Sequence, residues 1–132
     1  MIQEDKDLLL QDLCGRLPYG VKCKVWYNDK TLNIKCTGID FYTNTVNLDI
    51  PGDDNAKVYV DNIKPYLFPL SSMTEEQKII YGDLCYAVIH SLAWDMQAAL
   101  NELIDWLNKN HFDYRGLIEK GLAVNATGLN IY

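Results

Sequence analysis

The sequence predicts an α+β fold in a single domain of 132 residues, and three observations carry that prediction. Apolar residues recur at helical spacing before residue 18 and after residue 74, and alternate with period two in between. Turn-rich stretches separate the two regimes. A hydrophobic share of 48% and a charged share of 23% suit a globular chain with a core of its own.

Lys6 to Leu17 reads as the first helix. Leu9, Leu13 and Leu17 stack at i, i+4 and i+8 beside Leu10 and Cys14, and Pro18-Tyr19-Gly20 ends it. Val21, Cys23, Val25 and Tyr27 then alternate with Lys22, Lys24 and Trp26. A turn centred on Asp29-Lys30 sets Cys23 opposite Cys36, Val25 opposite Ile34 and Tyr27 opposite Leu32, which gathers the apolar residues on one face. Strands at Thr45–Ile50 and Lys57–Val60 follow, separated by the turn Pro51-Gly52-Asp53-Asp54-Asn55. About four strands result, a curved antiparallel sheet of the kind that curls into an SH3-like half-barrel. Pro65 and Pro69 make residues 61–69 an extended connector.

Thr74 and Gln77 form a capping box at the start of a helical pattern that reaches about Asn110. One helix of that length is unusual in a small domain, so a break near His90 to Asp95 divides it into a helical hairpin or two angled helices. These helices are expected to cover one sheet face. Asp113 caps a short terminal helix, Tyr114 to Lys120, which Gly121 ends in the left-handed conformation. The chain thus divides into residues 1–66, a helix with a β-meander, residues 70–123, mainly helical, and a loose tail, 124–132.

The net charge of −6 weighs against a general nucleic-acid binder. Residues 1–66 hold eight basic and ten acidic residues, and residues 67–132 four and eight, so a basic patch belongs to the first half. The longest uncharged apolar stretch, Leu84 to Trp94, is far short of the ~20 residues that span a bilayer. Met1 to Asp5 is acidic where a signal peptide is basic, so the expected location is cytoplasmic, with no membrane partner. Cys14, Cys23, Cys36 and Cys85 lack zinc-ligand spacing and read as small buried hydrophobes, and no cofactor motif is present.

Three blocks look familiar: Leu13 to Gly20, Ile63 to Gln77 and Asp105 to Ala123. On these the chain resembles a family of small, functionally uncharacterised proteins encoded by bacteriophages and prophages of gut Bacteroides-type bacteria. The resemblance implies an accessory protein working in the host cytoplasm, of a kind that often binds a host component to blunt defence. It carries no catalytic residue.

Two constellations stand out. Lys22, Lys24, Trp26 and Lys35 share the outer face of the first hairpin, with Lys24 opposite Lys35 in the expected register. Like charges across a strand pair repel, and lysine beside an exposed aromatic is how sheets hold nucleotides or single strands. The ordinary alternative is a solvated face whose lysines block edge pairing. The second is His111, Asp113, Tyr114 and Arg115 at a helix break, where a ligand can meet exposed helix ends and where His111 and Asp113 have the chemistry of an acid–base pair. Its ordinary alternative is capping and bracing. Asp5, Asp7 and Asp12 read as helix-start or solvated acids, and His90 as a core or rim residue. The leading expectation is a non-enzymatic binder of a small anionic ligand or a host protein, with a nucleic-acid module as the alternative. Aromatic content and long helices favour a homo-oligomer.

Overall fold

The computed structural model describes residues 1–92 and 94–132. The first helix, α1, spans Gln3–Arg16 and presents Leu9, Leu10 and Leu13, each fully buried, to the sheet. Fully burying one such side chain stabilises the fold by about 1.5–3 kcal/mol. Pro18 sits in a 3-10 turn, Leu17–Tyr19, and Gly20 takes φ +68°, which releases the chain into the first strand.

Strands β1 (Lys22–Tyr27) and β2 (Lys30–Asp40) form the expected hairpin, but its register differs from expectation by two positions. Cys23 pairs with Ile34, Val25 with Leu32 and Tyr27 with Lys30. The turn is Asn28-Asp29, not Asp29-Lys30, because Asn28 (φ 49°) and Asp29 (φ 61°) both take the left-handed conformation that a two-residue hairpin demands. Asn and Asp tolerate it better than Lys. A two-residue shift preserves parity, so the apolar face is the expected one. Between Cys36 and Gly38 a bulge bends β2 away from β1 to pair with β3 (Thr45–Leu48), which in turn pairs with β4 (Lys57–Tyr59). A Cβ at Gly38 would lie 2.9 Å from Asn47 Nδ2, so a larger residue at the bulge would have to displace that side chain.

The sheet is larger than the expected four-stranded antiparallel one. It has seven strands in the order β4-β3-β2-β1-β5-β6, with β7 also on β5, and it is mixed. The connector of residues 61–69 is in fact strand β5 (Ile63–Pro69), an interior strand between β1 and β6. It changes neighbours along its length: β1 antiparallel at Ile63–Pro65, then β7 (Val124–Asn125) and β6 (Phe112–Asp113) parallel. A strand that shifts partners does not need an unbroken row of N–H donors, which accommodates Pro65 and Pro69.

The capping box forms as the sequence predicts: Gln77 N–H donates to Thr74 Oγ1 at 3.1 Å and Thr74 N–H to Gln77 Oε1 at 2.9 Å. Helices α2 (Glu75–His90) and α3 (Met96–Lys109) flank a break at the expected place; Ala93, within it, lies outside the described residues. They run antiparallel, with the rings of Tyr81 and Trp106 6.3 Å apart. They do not blanket the sheet, however. No residue of α2 is buried, and α1 instead supplies the apolar cover over Val21, Val25, Val46, Ile63 and Leu67. The hairpin is held at its base by a second cluster built on Met73, Leu107 and Phe112.

Two further expectations are overturned. Tyr114 to Lys120 forms no α-helix, since Gly116 at φ +74° interrupts it. One turn remains, closed by Leu122 N–H on Leu117 C=O (2.9 Å) and Gly121 N–H on Ile118 C=O (3.1 Å), with Gly121 left-handed as expected. The tail is not loose either: Ala126 is buried and donates to Leu67 C=O, and Tyr132 is anchored to the sheet. Of the cysteines, Cys23 and Cys36 are buried, whereas Cys14 is exposed and Cys85 half-buried. The hydrogen bond that the Cys23 thiol donates to Cys36, and then burial, push the Cys23 pKa well up.

Candidate functional site

β1 turns Lys22, Lys24 and Trp26 outward, because Cys23 and Val25 alternate with them into the core. The true register replaces the expected Lys24–Lys35 pair with two others. Lys22 faces Lys35 on one side of β1, and Lys24 faces Lys64 of β5. Lys64 is a member of this basic face that the sequence reading missed, since residues 61–69 did not read as a strand.

The lysines are not equivalent. Lys22 Nζ donates to Ile131 C=O at 2.9 Å and so serves the last segment of the chain. Lys24 Nζ stands 5.3 Å from the centroid of the Trp26 ring, a cation–π contact. Lys35 is exposed, and among the described residues neither it nor Lys24 or Lys64 has a carboxylate in salt-bridge range. Trp26, 40% exposed, borders an open cleft of about 590 Å³ with Asn28, Asp29, Lys30, Thr31 and Asn62.

Tyr132 closes one end of this face. Its hydroxyl accepts from Lys22 N–H (3.0 Å) and donates to Tyr66 C=O (2.8 Å), and burial pushes its pKa up. Tyr66 in turn reaches across β1 to donate to Asn33 Oδ1 at 2.5 Å. The Tyr132 ring stacks on His111 with centroids 3.6 Å apart and planes 10° apart. Thus Tyr132 links the two constellations that the sequence singled out.

His111 takes φ 61°, its Nδ1 is buried without a partner, and its pKa is held down to about 4 by burial and then by the charges of Arg16 and Lys22. It is therefore neutral at pH 7. The expected pairing with Asp113 does not occur. Asp113 accepts backbone N–H bonds from Arg115 (3.2 Å), Leu117 (3.0 Å) and Ile118 (2.9 Å), which occupies both oxygens. Its capping role holds, although what it caps is a single turn.

Tyr114 and Arg115 belong to a buried polar cluster. Arg16, fully buried, forks onto Asp12 with Nε–Oδ2 at 2.8 Å and Nη2–Oδ1 at 3.0 Å, and Nη2 also donates to Phe112 C=O at 2.7 Å. Arg115 Nε lies 3.3 Å from Asp12 Oδ1 as an ion pair without hydrogen-bond alignment. The Tyr114 ring contacts both guanidinium groups, 5.2 and 5.1 Å from its centroid, and its hydroxyl donates to the buried Asn108 at 2.8 Å. This corrects the reading of Asp12 as a solvated acid. Asp12 and Arg16 lie on the face of Leu9 and Leu13, at spacings of three and four, and that pattern was the available signal. His90 is also not a core residue. It is exposed, with its ring 4.0 Å from that of Tyr86.

Comparison with models of protein families, with curated proteins and with solved structures finds no match to this chain. Among the described residues, no helix is long and apolar enough to cross a membrane. Nor does any group of three or more His, Cys, Asp or Glu side chains converge to hold a metal ion.

Proposed function

We propose that this chain is a non-enzymatic binding protein that takes a small anionic, nucleotide-like ligand on the outer sheet face. The observation that carries this reading is the pair of lysine pairs set directly across β1, Lys22–Lys35 and Lys24–Lys64, in a chain of net charge −6. Such pairs repel, and an anion placed between them relieves the repulsion. Lys24, Lys35 and Lys64 supply the charge, and Trp26 beside its cleft supplies a ring for a base to stack on. His111, neutral and stacked, holds Tyr132 and does no proton chemistry.

The resemblance to phage and prophage proteins supports an accessory role in the host cytoplasm, countering defence by capturing a nucleotide signal. A second reading, a host-protein partner, is favoured by the exposed apolar residues of α2 and its following turn, among them Ile89 and Trp94. A nucleic-acid module is disfavoured by the overall acidity.

Thermal melting against nucleotides, cyclic nucleotides and short oligonucleotides tests this. One small ligand should give a saturable shift, about 2.7 kcal/mol at a hundredfold excess over its Kd, that Lys24→Glu abolishes. A flat nucleotide panel overturns the reading. A shift with oligonucleotides alone that falls steeply with salt points to the nucleic-acid module.

A further inference from the structure

The cleft beside Trp26 carries polar groups that the fold leaves unspent. Other turn carboxylates are used locally. Asp40 accepts from the Tyr42 and Thr43 N–H groups at 2.9 and 3.2 Å, and Asp53 from the Asn55 N–H at 3.1 Å and the Tyr27 hydroxyl at 3.3 Å. Asp29, in the turn of the first hairpin, is exposed, and among the described residues no hydrogen bond or ion pair engages its carboxylate. The turn does not call for that carboxylate. Asp29 stands at φ 61° after Asn28, the position where glycine completes the most favourable two-residue hairpin. Lys30, the next residue, also lacks a carboxylate in salt-bridge range, and both line the cleft with Trp26.

The cleft therefore sets a pair of acceptors beside a donor, next to an exposed ring. Nucleobases differ in the order of such groups along the Watson–Crick edge. Guanine runs from an acceptor, O6, to two adjacent donors, N1–H and N2–H2. That order matches an ammonium beside a carboxylate, group for group. Adenine in the same place turns its N6–H2 donor on the ammonium and its N1 lone pair on the carboxylate. Uracil has a single donor, N3–H, between two carbonyls, so one carboxylate oxygen meets an acceptor.

We propose that this cleft selects guanine: the base stacks on Trp26, Asp29 accepts from its N1–H and N2–H2, and Lys30 donates to its O6. The inference rests on the nucleotide reading of the sheet face and narrows it to guanine nucleotides. Lys24 lies two residues from Trp26 on β1, about 7 Å along the strand, which sets the Lys24–Lys64 pair at the 5′-phosphate of a nucleotide whose base lies on Trp26. The Lys22–Lys35 pair comes two residues further on, in line for the distal phosphates. Base and phosphates thus fall on different groups, and Asp29 stands at the end away from the phosphates, where its charge opposes binding least.

Calorimetric titration of the full chain with guanosine, inosine and adenosine 5′-triphosphates tests the proposal. The three share ribose and phosphates, so their differences report the base alone. The guanosine compound should bind about tenfold tighter than the adenosine one. The inosine compound, which keeps O6 and N1–H but lacks N2–H2, should fall between them. Asp29→Gly removes the carboxylate and supplies the residue the turn prefers, so the fold is kept and its melting temperature should not drop. In that variant the guanosine compound should fall to the affinity of the adenosine one, with the latter bound at least as tightly as before. Equal affinities for the three in the unaltered chain overturn the base assignment and leave the nucleotide reading standing. So does a guanine preference that survives Asp29→Gly. Binding of none of the three overturns both.

Discussion

Asp12 and Arg16 of α1 are both 0% exposed, whereas in α2 Ile79, Tyr86 and Ile89 stand more than half in solvent and no residue is buried. One half of the molecule buries charge and the other bares hydrocarbon. In α1, burial is set by whether a side chain finds its partners: the Arg16 fork satisfies Asp12 and the Phe112 carbonyl together. In α2, exposure persists because nothing within the protomer reaches the outer side of the hairpin.

The largest way to break this contrast is to leave one buried charge alone. Arg16→Ala strands Asp12 beside the offset Arg115 and should cost about 3–5 kcal/mol in denaturant unfolding, whereas Tyr42→Ser on the surface should cost under about 0.5 kcal/mol. A smaller effect tests the stacked pair of His111 and Tyr132. The native pKa of His111, about 4, lies below its ordinary 6.5, so the native state favours the neutral ring. Its contribution is therefore fully present above pH 6.5 and is lost as pH falls from 6.5 towards 4. Partial solvent access reduces this to about 1–2 kcal/mol. His111→Asn, which keeps a residue tolerant of positive φ, should remove that part of the acid sensitivity in melts at pH 7 and pH 5. The smallest effect sharpens the contrast from the other side. Thr74→Ala removes the cap of α2 at a cost of about 1 kcal/mol. Amide exchange should quicken in α2 while the amides of β1 and β5 stay protected.

The sequence made local patterns legible and long-range pairings much less so. The first hairpin's apolar face, the Thr74 cap, the break after His90 and Gly121 as a left-handed stop all follow from rules acting within a few residues. The register failed by two because Asn28 and Asp29 do not form one of the favoured glycine-containing turns, although both adopt its geometry. β5 was hidden by its two prolines. β6 and β7 are two residues each, too short for any periodicity to register. Of the candidate site, Lys22, Lys24, Trp26 and Lys35 were found because they alternate along two strands. Lys64 and Tyr132 were not, since only the folded topology brings them beside Lys24 and Lys22. Asp113, Tyr114 and Arg115 were singled out for their chemistry, and they spend it on the backbone, Asn108 and Asp12.

The Tyr132 anchor also has a temporal meaning. Its bond to the Lys22 backbone joins positions 110 residues apart, and the Arg16 bond to Phe112 joins positions 96 apart. At about 5–20 residues per second, a ribosome delivers the meander several seconds before residues 112–132 emerge. Through that interval β5 waits with one edge unpaired and Arg16 without its carbonyl acceptor. Completion of the sheet therefore waits for residues 112–132, and a nascent chain halted at residue 110 should remain open to proteases that the folded chain resists.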